Sequence, residues 1–324
     1  MTCATPEGTA RYRERFEGRV AKDHFREQQG LVLSSIGIGT YLGNADEHTD
    51  LNYANAVVRA VQLGCNVIDS AANYRFQRSE RSIGRALKTL TSEHGFTREE
   101  LVICTKGGYL PFDGSQPRNM REYVNETFVK PGIASFEDFV GGMHCMTPAY
   151  LQNQLDQSLR NMSIECVDVY YIHNPESQLG YVGEAEFYSR LKLAFERLEQ
   201  NRGDGKLAHY GVATWNGFRV PAESREHHSL VRMVDAARNV GGDNHGFRFI
   251  QLPFNLAMPE GVSVIEEAQR LGVTVVASAS LLQGRIDPPT ALRFVLSTPG
   301  ITTALVGMSR VEHVEENLAA DFRK

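Results

Sequence analysis

The chain contains no apolar run approaching the length of about 18 residues that a membrane-spanning helix requires. Its first twenty residues, MTCATPEGTARYRERFEGRV, are polar and charged, so the apolar segment of a secretory leader is missing too. Cysteine is scarce. The five residues Cys3, Cys65, Cys104, Cys145 and Cys166 are scattered, odd in number and include no Cys-x-x-Cys pair. That argues against a disulfide scaffold or a zinc site and reads as reduced thiols in a cytoplasmic protein. No block of Lys or Arg occurs, and 34 basic against 39 acidic residues leave a net charge of −5. Nucleic acid and an anionic membrane are therefore not expected partners. What remains is ordinary for a globular protein: 42% hydrophobic and 23% charged residues over 324 positions, which excludes disorder and collagen.

From about residue 31, short β-branched runs alternate with stretches of helical period. Strands are expected at residues 31–40, 66–69, 101–106, 166–173, 207–213, 247–252, 273–277 and 302–306. Helices are expected at 51–63, 80–91, 148–162, 184–201, 220–240, 263–271, 289–296 and 311–318. Eight of each in alternation predict a single-domain α/β fold over residues 1–324, a (β/α)8 TIM barrel. Near-continuous runs such as VDVYYI and VTVVA suit parallel strands buried on both faces. One connection is long: residues 107–147, after the third strand, hold six aromatics (Tyr109, Phe112, Tyr123, Phe128, Phe136, Phe139). A connection of that length reads as a substrate lid, with a decorative surface insertion as the plainer alternative.

The segment Gly37-Ile-Gly39-Thr-Tyr-Leu-Gly43 resembles a dinucleotide-binding turn, but its spacing is one residue too long. The polar stretch NADEHTD also intervenes before a helix expected to cap at Thr49 or Asp50, so pyrophosphate would not meet free helix N–H groups. More informative is what falls at strand ends. Asp69 closes the second expected strand, Lys106 the third and His173 the fourth, while Tyr74 follows in the loop after Asp69. In a (β/α)8 barrel such positions share one rim. Singly, these residues read as a helix cap, a solvated lysine, a satisfied barrel histidine and a packing tyrosine. Jointly, four acid–base groups from three neighbouring strands point to chemistry. A metal-dependent hydrolase using His144, Cys145, His173 and Asp69 is another reading, but no pair has ligand spacing.

These residues sit in segments that resemble the aldo-keto reductase family: IDSAANYRFQRSERSIGRAL, ICTKGG, VDVYYIHNPE, GKLAHYGVATW, IQLPFNLA and VGMSRVEHVEENLAA, in order from Leu31 to Ala320. The resemblance implies that Asp69, Tyr74, Lys106 and His173 form a catalytic tetrad for reducing an aldehyde or ketone to an alcohol, or the reverse. Tyr74 would supply the proton, Lys106 would lower its pKa, Asp69 would hold the lysine and His173 would polarise the carbonyl. It implies a nicotinamide cofactor, NADP(H) preferred and NAD(H) possible, held across the barrel mouth. Gly39, Thr40, Tyr41 and Asp69 would line its reactive end with Thr214 and Gln251. Ser278, Leu281, Gly284 and Arg285 would follow its pyrophosphate. Gly307, Ser309, Arg310, His313, Glu316 and Asn317 would hold its adenosine half. Against the family pattern, Ala213-Thr214 stands for the usual Ser-Asn, and Ser278 for a stacking tyrosine. His313 replaces a frequent basic residue, leaving Arg310 as the expected 2′-phosphate clamp. Trp215 or Phe254 is the candidate for the missing apolar face. The expected partner is a small carbonyl or alcohol, with the 107–147 aromatics favouring aryl or alkyl-aryl carbonyls. The alternative is a cofactor-binding regulatory subunit with slow or no turnover.

Overall fold

A computed structural model describes residues 3–319. The chain begins with a helix, Pro6–Glu14, capped by Thr5, whose hydroxyl accepts the N–H of Gly8. Next comes a two-stranded antiparallel hairpin, β1 (Phe25–Gln28) and β2 (Leu31–Ser34), turning at Gln29 and Gly30, both left-handed. Eight strands then close a parallel barrel: β3 (Ile36–Gly39), β4 (Val67–Asp69), β5 (Val102–Gly107), β6 (Val167–His173), β7 (Leu207–Ala213), β8 (Phe247–Pro253), β9 (Thr274–Ser278) and β10 (Ile301–Gly307). β10 pairs back to β3 and completes the ring.

The physical cause is visible strand by strand. β4, β5 and all but the last residue of β6 are buried, so both faces of each strand meet apolar neighbours. Inside the ring, Val67, Val102, Cys104, Val169, Tyr171, Phe249, Val276 and Leu305 form one cluster, and the hairpin's Leu31 and Leu33 join it. Outside, helices such as Glu47–Gln62, Pro148–Met162 and Glu184–Gly203 bury one face each against the outward-facing strand residues.

The expected first strand, 31–40, is two elements: the chain turns at Ser35, so 31–34 pairs in the hairpin and 36–39 enters the barrel. Continuous hydrophobicity cannot reveal that break. The expected cap at Thr49 or Asp50 is instead Asp46, whose carboxylate accepts the N–H of Thr49. Residues 220–240 are helical only over Leu230–Gly241, with Ser229 as cap. The cysteines are not all thiols: Cys3 and Cys166 are joined in a disulfide, Cα–Cα 5.3 Å, while Cys65, Cys104 and Cys145 are free. A pairing 163 residues apart in sequence leaves no spacing signature, and it removes the ground on which a reducing compartment was expected. Among the described residues no helix is long and apolar enough to cross a membrane.

Candidate active site

Strand register places the chemistry. Asp69, the last residue of β4, pairs with Cys104 of β5, and Lys106 lies two residues further along β5. Lys106 pairs with Tyr171 of β6, and His173 ends that strand opposite Ala213 of β7. Three polar side chains thus emerge on the rim formed by the C-terminal strand ends. Lys106, 1% exposed, donates to Asp69 Oδ1 at 2.5 Å and to the Ser70 carbonyl at 2.7 Å. Its ammonium is 4.9 Å from the centroid of the half-buried Tyr74 ring. That ring meets His173 edge-on at 5.7 Å and Tyr41 at 4.9 Å.

Tyr74 is carried by an unusual turn. Arg75, Phe76 and Gln77 all have positive φ, at 48°, 57° and 69°. Three successive left-handed non-glycine residues are strained by about 1–2 kcal/mol each and need anchoring. Arg75 supplies it: its guanidinium pairs with buried Asp50 and donates to the Asn44 carbonyl at 2.9 Å. Arg78 adds a second ion pair to Asp50 at 2.7 Å, and the Gln77 amide donates to the Phe112 carbonyl. Asp50 therefore serves the tyrosine loop rather than a helix cap.

His173 is fixed from behind. His144 Nε2 lies 2.7 Å from the His173 carbonyl oxygen, and His144 Nδ1 lies 2.9 Å from the Gln178 amide. Gly108, φ +134°, makes room, since a Cβ there would fall 2.8 Å from His144 Nε2. His144 is thus a backbone support, and Cys145 turns its thiol to Thr147, so neither joins Asp69 and His173 as a metal set.

The electrostatics follow from burial and charge. Burial alone would depress the Lys106 pKa, but Asp69 and Tyr74 outweigh it, and the ammonium is held above its usual value. Burial pushes the Asp69 carboxyl up, while Lys106 and the Gln251 amide pull it back. For Tyr74 the expected lowering is not the net result. Burial raises the phenol more than Lys106 lowers it, so the hydroxyl stays protonated beyond the ordinary tyrosine range. His173 is driven well below the usual histidine value, first by burial and then by Lys106, and is a neutral imidazole at pH 7. Its Nδ1 is buried without a hydrogen-bond partner.

A cavity of about 460 Å³ opens over this group. Gly39, Thr40, Tyr41, Asp69, Tyr74 and His173 line one part of it, as do Thr214 and Gln251. Ser278, Leu281 and Gly284 line the wall after β9, and Gly307, Ser309, His313, Glu316 and Asn317 the wall after β10. Of the expected cofactor residues only Arg285 and Arg310 are outside the lining. Both are exposed, and Arg310 Nη2 is occupied by His313 Nε2 at 2.7 Å. Gln251 turns its amide onto Asp69 Oδ2 at 2.9 Å. Trp215, 46% exposed, lines the cavity, whereas Phe254 is buried and stacked on Phe294. Of those two candidates for an aromatic face, Trp215 is the one at the cavity.

Gln283 lines the cavity beside the expected Gly284, and Asn174 and Pro288 line it without having been anticipated. Only Asn174 carried a signal, its place directly after His173. The aromatics of 107–147 do not shape the cavity, which no residue of that segment lines. Phe112, Phe128 and Phe139 pack with Leu110, Val124 and Tyr150 into a separate cluster, with Tyr123 and Phe136 against it. Tyr109 alone approaches the site, edge-on to His173 at 5.1 Å.

With this geometry in place, sequence comparison is decisive: the aldo/keto reductase family profile matches residues 35–289. The chain belongs to the aldo/keto reductase family. Among similar proteins is a putative voltage-gated potassium channel subunit beta of Schizosaccharomyces pombe, 23% identical, spanning 94% of this chain and 89% of that protein. Another is the L-glyceraldehyde 3-phosphate reductase of Escherichia coli O157:H7, 24% identical, spanning 90% of this chain and 85% of that protein. A crystal structure of an aldo/keto reductase from Klebsiella pneumoniae in complex with NADP and acetate superposes with TM-score 0.61 at 18% identity. It covers 92% of this chain and 89% of that one.

Proposed function

We propose that this member of the aldo/keto reductase family is a nicotinamide-dependent carbonyl reductase, taking NADP(H) in preference to NAD(H). It reduces an aldehyde or ketone to an alcohol, or runs the reverse. The observation that carries this reading is the Tyr74 hydroxyphenyl group seated over the Lys106–Asp69 ion pair, against His173 and at the cavity wall. The cavity offers unpartnered buried atoms suited to a polar cofactor: Thr214 Oγ1 and Asn317 Oδ1 both line it without a hydrogen bond. Thr214 and Gln251 would hold the carboxamide end, and Ser309, His313 and Asn317 the adenosine end. The bound nicotinamide supplies a hydride to the carbonyl carbon.

The remaining work belongs to the chain. As negative charge develops on the carbonyl oxygen, Tyr74 donates its phenolic proton there, which its raised pKa keeps in place at neutral pH. Neutral His173 donates a ring N–H to the same oxygen and adds no competing charge. Lys106 stabilises the phenolate that Tyr74 becomes, and Asp69 holds Lys106 beneath the ring.

A regulatory subunit with slow turnover is the second reading, favoured by the similarity to the Schizosaccharomyces pombe protein. The complete set of acid–base groups favours the enzyme. Trp215, the chain's one tryptophan, gives the test. Titration with NADPH is expected to quench its fluorescence saturably, and NADH to do so more weakly. No response to either cofactor would overturn the proposal.

A further inference from the structure

Glu176 is a buried carboxylate that the chemistry above leaves without a task. It lies three residues beyond His173, at the start of the short helix Glu176–Leu179, and is 6% exposed. One oxygen, Oε1, accepts two backbone N–H groups from a different loop, Trp215 at 2.6 Å and Asn216 at 2.9 Å. The other oxygen faces His228 Nε2 at 3.6 Å, in the same 214–229 loop. Burial alone would raise this carboxyl, but His228 and the Asn216 N–H outweigh it, and the group stays ionised.

Trp215 is hydrogen-bonded through its backbone. Its N–H goes to Glu176 and its carbonyl accepts from Arg219 Nη1 at 3.2 Å. Its indole is 46% exposed and makes no ring contact with another aromatic among the described residues. The far end of the loop is fixed: His228 stacks on Phe187 at 5.1 Å and presses on Gly217, where a Cβ would fall 2.3 Å from His228 Cδ2. Between these points the carboxylate joins the segment after β6, which carries His173, to the segment after β7, which carries Thr214 and Trp215.

We propose that Glu176 is a positioning residue: by capturing the N–H groups of Trp215 and Asn216 it sets the indole as the aromatic wall of the cofactor cavity. The proposal rests on the cofactor reading for its effect on binding, but not for its effect on the indole. Two charge-assisted hydrogen bonds to one carboxylate oxygen are strong enough to order a loop residue that is half-exposed. An ordered indole offers its face to a planar ring at no further ordering cost.

The test uses the cofactor-free protein first. Glu176→Ala is expected to add a fast component to the Trp215 anisotropy decay and to increase acrylamide quenching, with circular dichroism unchanged. Glu176→Gln, whose amide oxygen accepts the same two N–H groups, is expected to restore wild-type values. Glu176→Asp, one methylene short, keeps the buried charge and serves if the alanine variant fails to fold; it is expected to loosen the indole as well. With cofactor, Glu176→Ala is expected to raise KM for NADPH about tenfold with kcat nearly unchanged, the scale of one aromatic contact. Trp215→Ala is expected to cost the same, and the double variant no more. A wild-type anisotropy decay in folded Glu176→Ala or Glu176→Asp overturns the proposal. Altered decay without any cofactor binding by the wild type instead overturns the reductase reading alone.

Discussion

The ammonium of Lys106 lies 4.9 Å from the centre of the Tyr74 ring while bonding Asp69 at 2.5 Å, so one buried cation serves two neighbours. Because burial raises Tyr74 and Lys106 opposes it, the phenol is protonated throughout the neutral range. Reduction, which needs the phenol, is expected to be flat from about pH 6 to 9; alcohol oxidation, which needs the phenolate, is expected to rise with pH. Lys106→Met removes the lowering influence. Its oxidation limb is expected to move to higher pH, with kcat down about a hundredfold. Rate–pH profiles in both directions check this, and a limb shifted to lower pH would contradict it.

His144 is 1% exposed, and burial lowers its pKa to about 4 from an ordinary 6.5. The unfolded chain therefore takes up this proton first, so the contribution to stability is full above pH 6.5 and is lost as pH falls toward 4. The loss amounts to about 3 kcal/mol. The stability gap between wild type and His144→Gln is expected to narrow by that amount as pH falls, in urea unfolding at a series of pH values.

Denatured without reductant, the protein is expected to show three reactive thiols out of five, and five after reduction. Replacing both Cys3 and Cys166 by Ser is expected to cost about 2–4 kcal/mol of stability. Kinetics should be untouched, since Cys166 precedes β6 at the end opposite His173. Five thiols before reduction would contradict the pairing.

Of the six aromatics of 107–147, Tyr109 meets the ring of His173, with its hydroxyl 2.9 Å from Ser177 Oγ. Tyr109→Ala is expected to change the ratio of kcat/KM for aryl and alkyl carbonyls. Phe128→Ala, within the separate aromatic cluster, is expected to cost about 3–5 kcal/mol of stability and leave that ratio alone. An unchanged ratio in Tyr109→Ala would show that this segment has no part in substrate choice.

The barrel was legible because strands buried on both faces write themselves as unbroken apolar runs, as in VDVYYI, and strand ends locate Asp69, Lys106 and His173. What was not legible depends on contacts between segments remote in sequence. Asp50 looks like a cap until Arg75 arrives from another loop. Residues 31–40 read as one strand because burial continues through a turn at Ser35. The 107–147 aromatics suggested a lid, since composition cannot distinguish rings that face a cavity from rings that face each other. The net pKa shift of Tyr74 was hidden for a similar reason: the sequence names Lys106 as the neighbour that lowers it, but not the burial that outweighs Lys106.

The most direct test is carbonyl-dependent oxidation of NADPH by the wild type and by Tyr74→Phe, across aldehydes and ketones. The phenylalanine variant is expected to retain Trp215 quenching by NADPH while its rate falls about a hundredfold to ten-thousandfold below that of the wild type. Equal background rates in both proteins, with cofactor bound to each, would contradict the enzyme and leave the regulatory subunit standing.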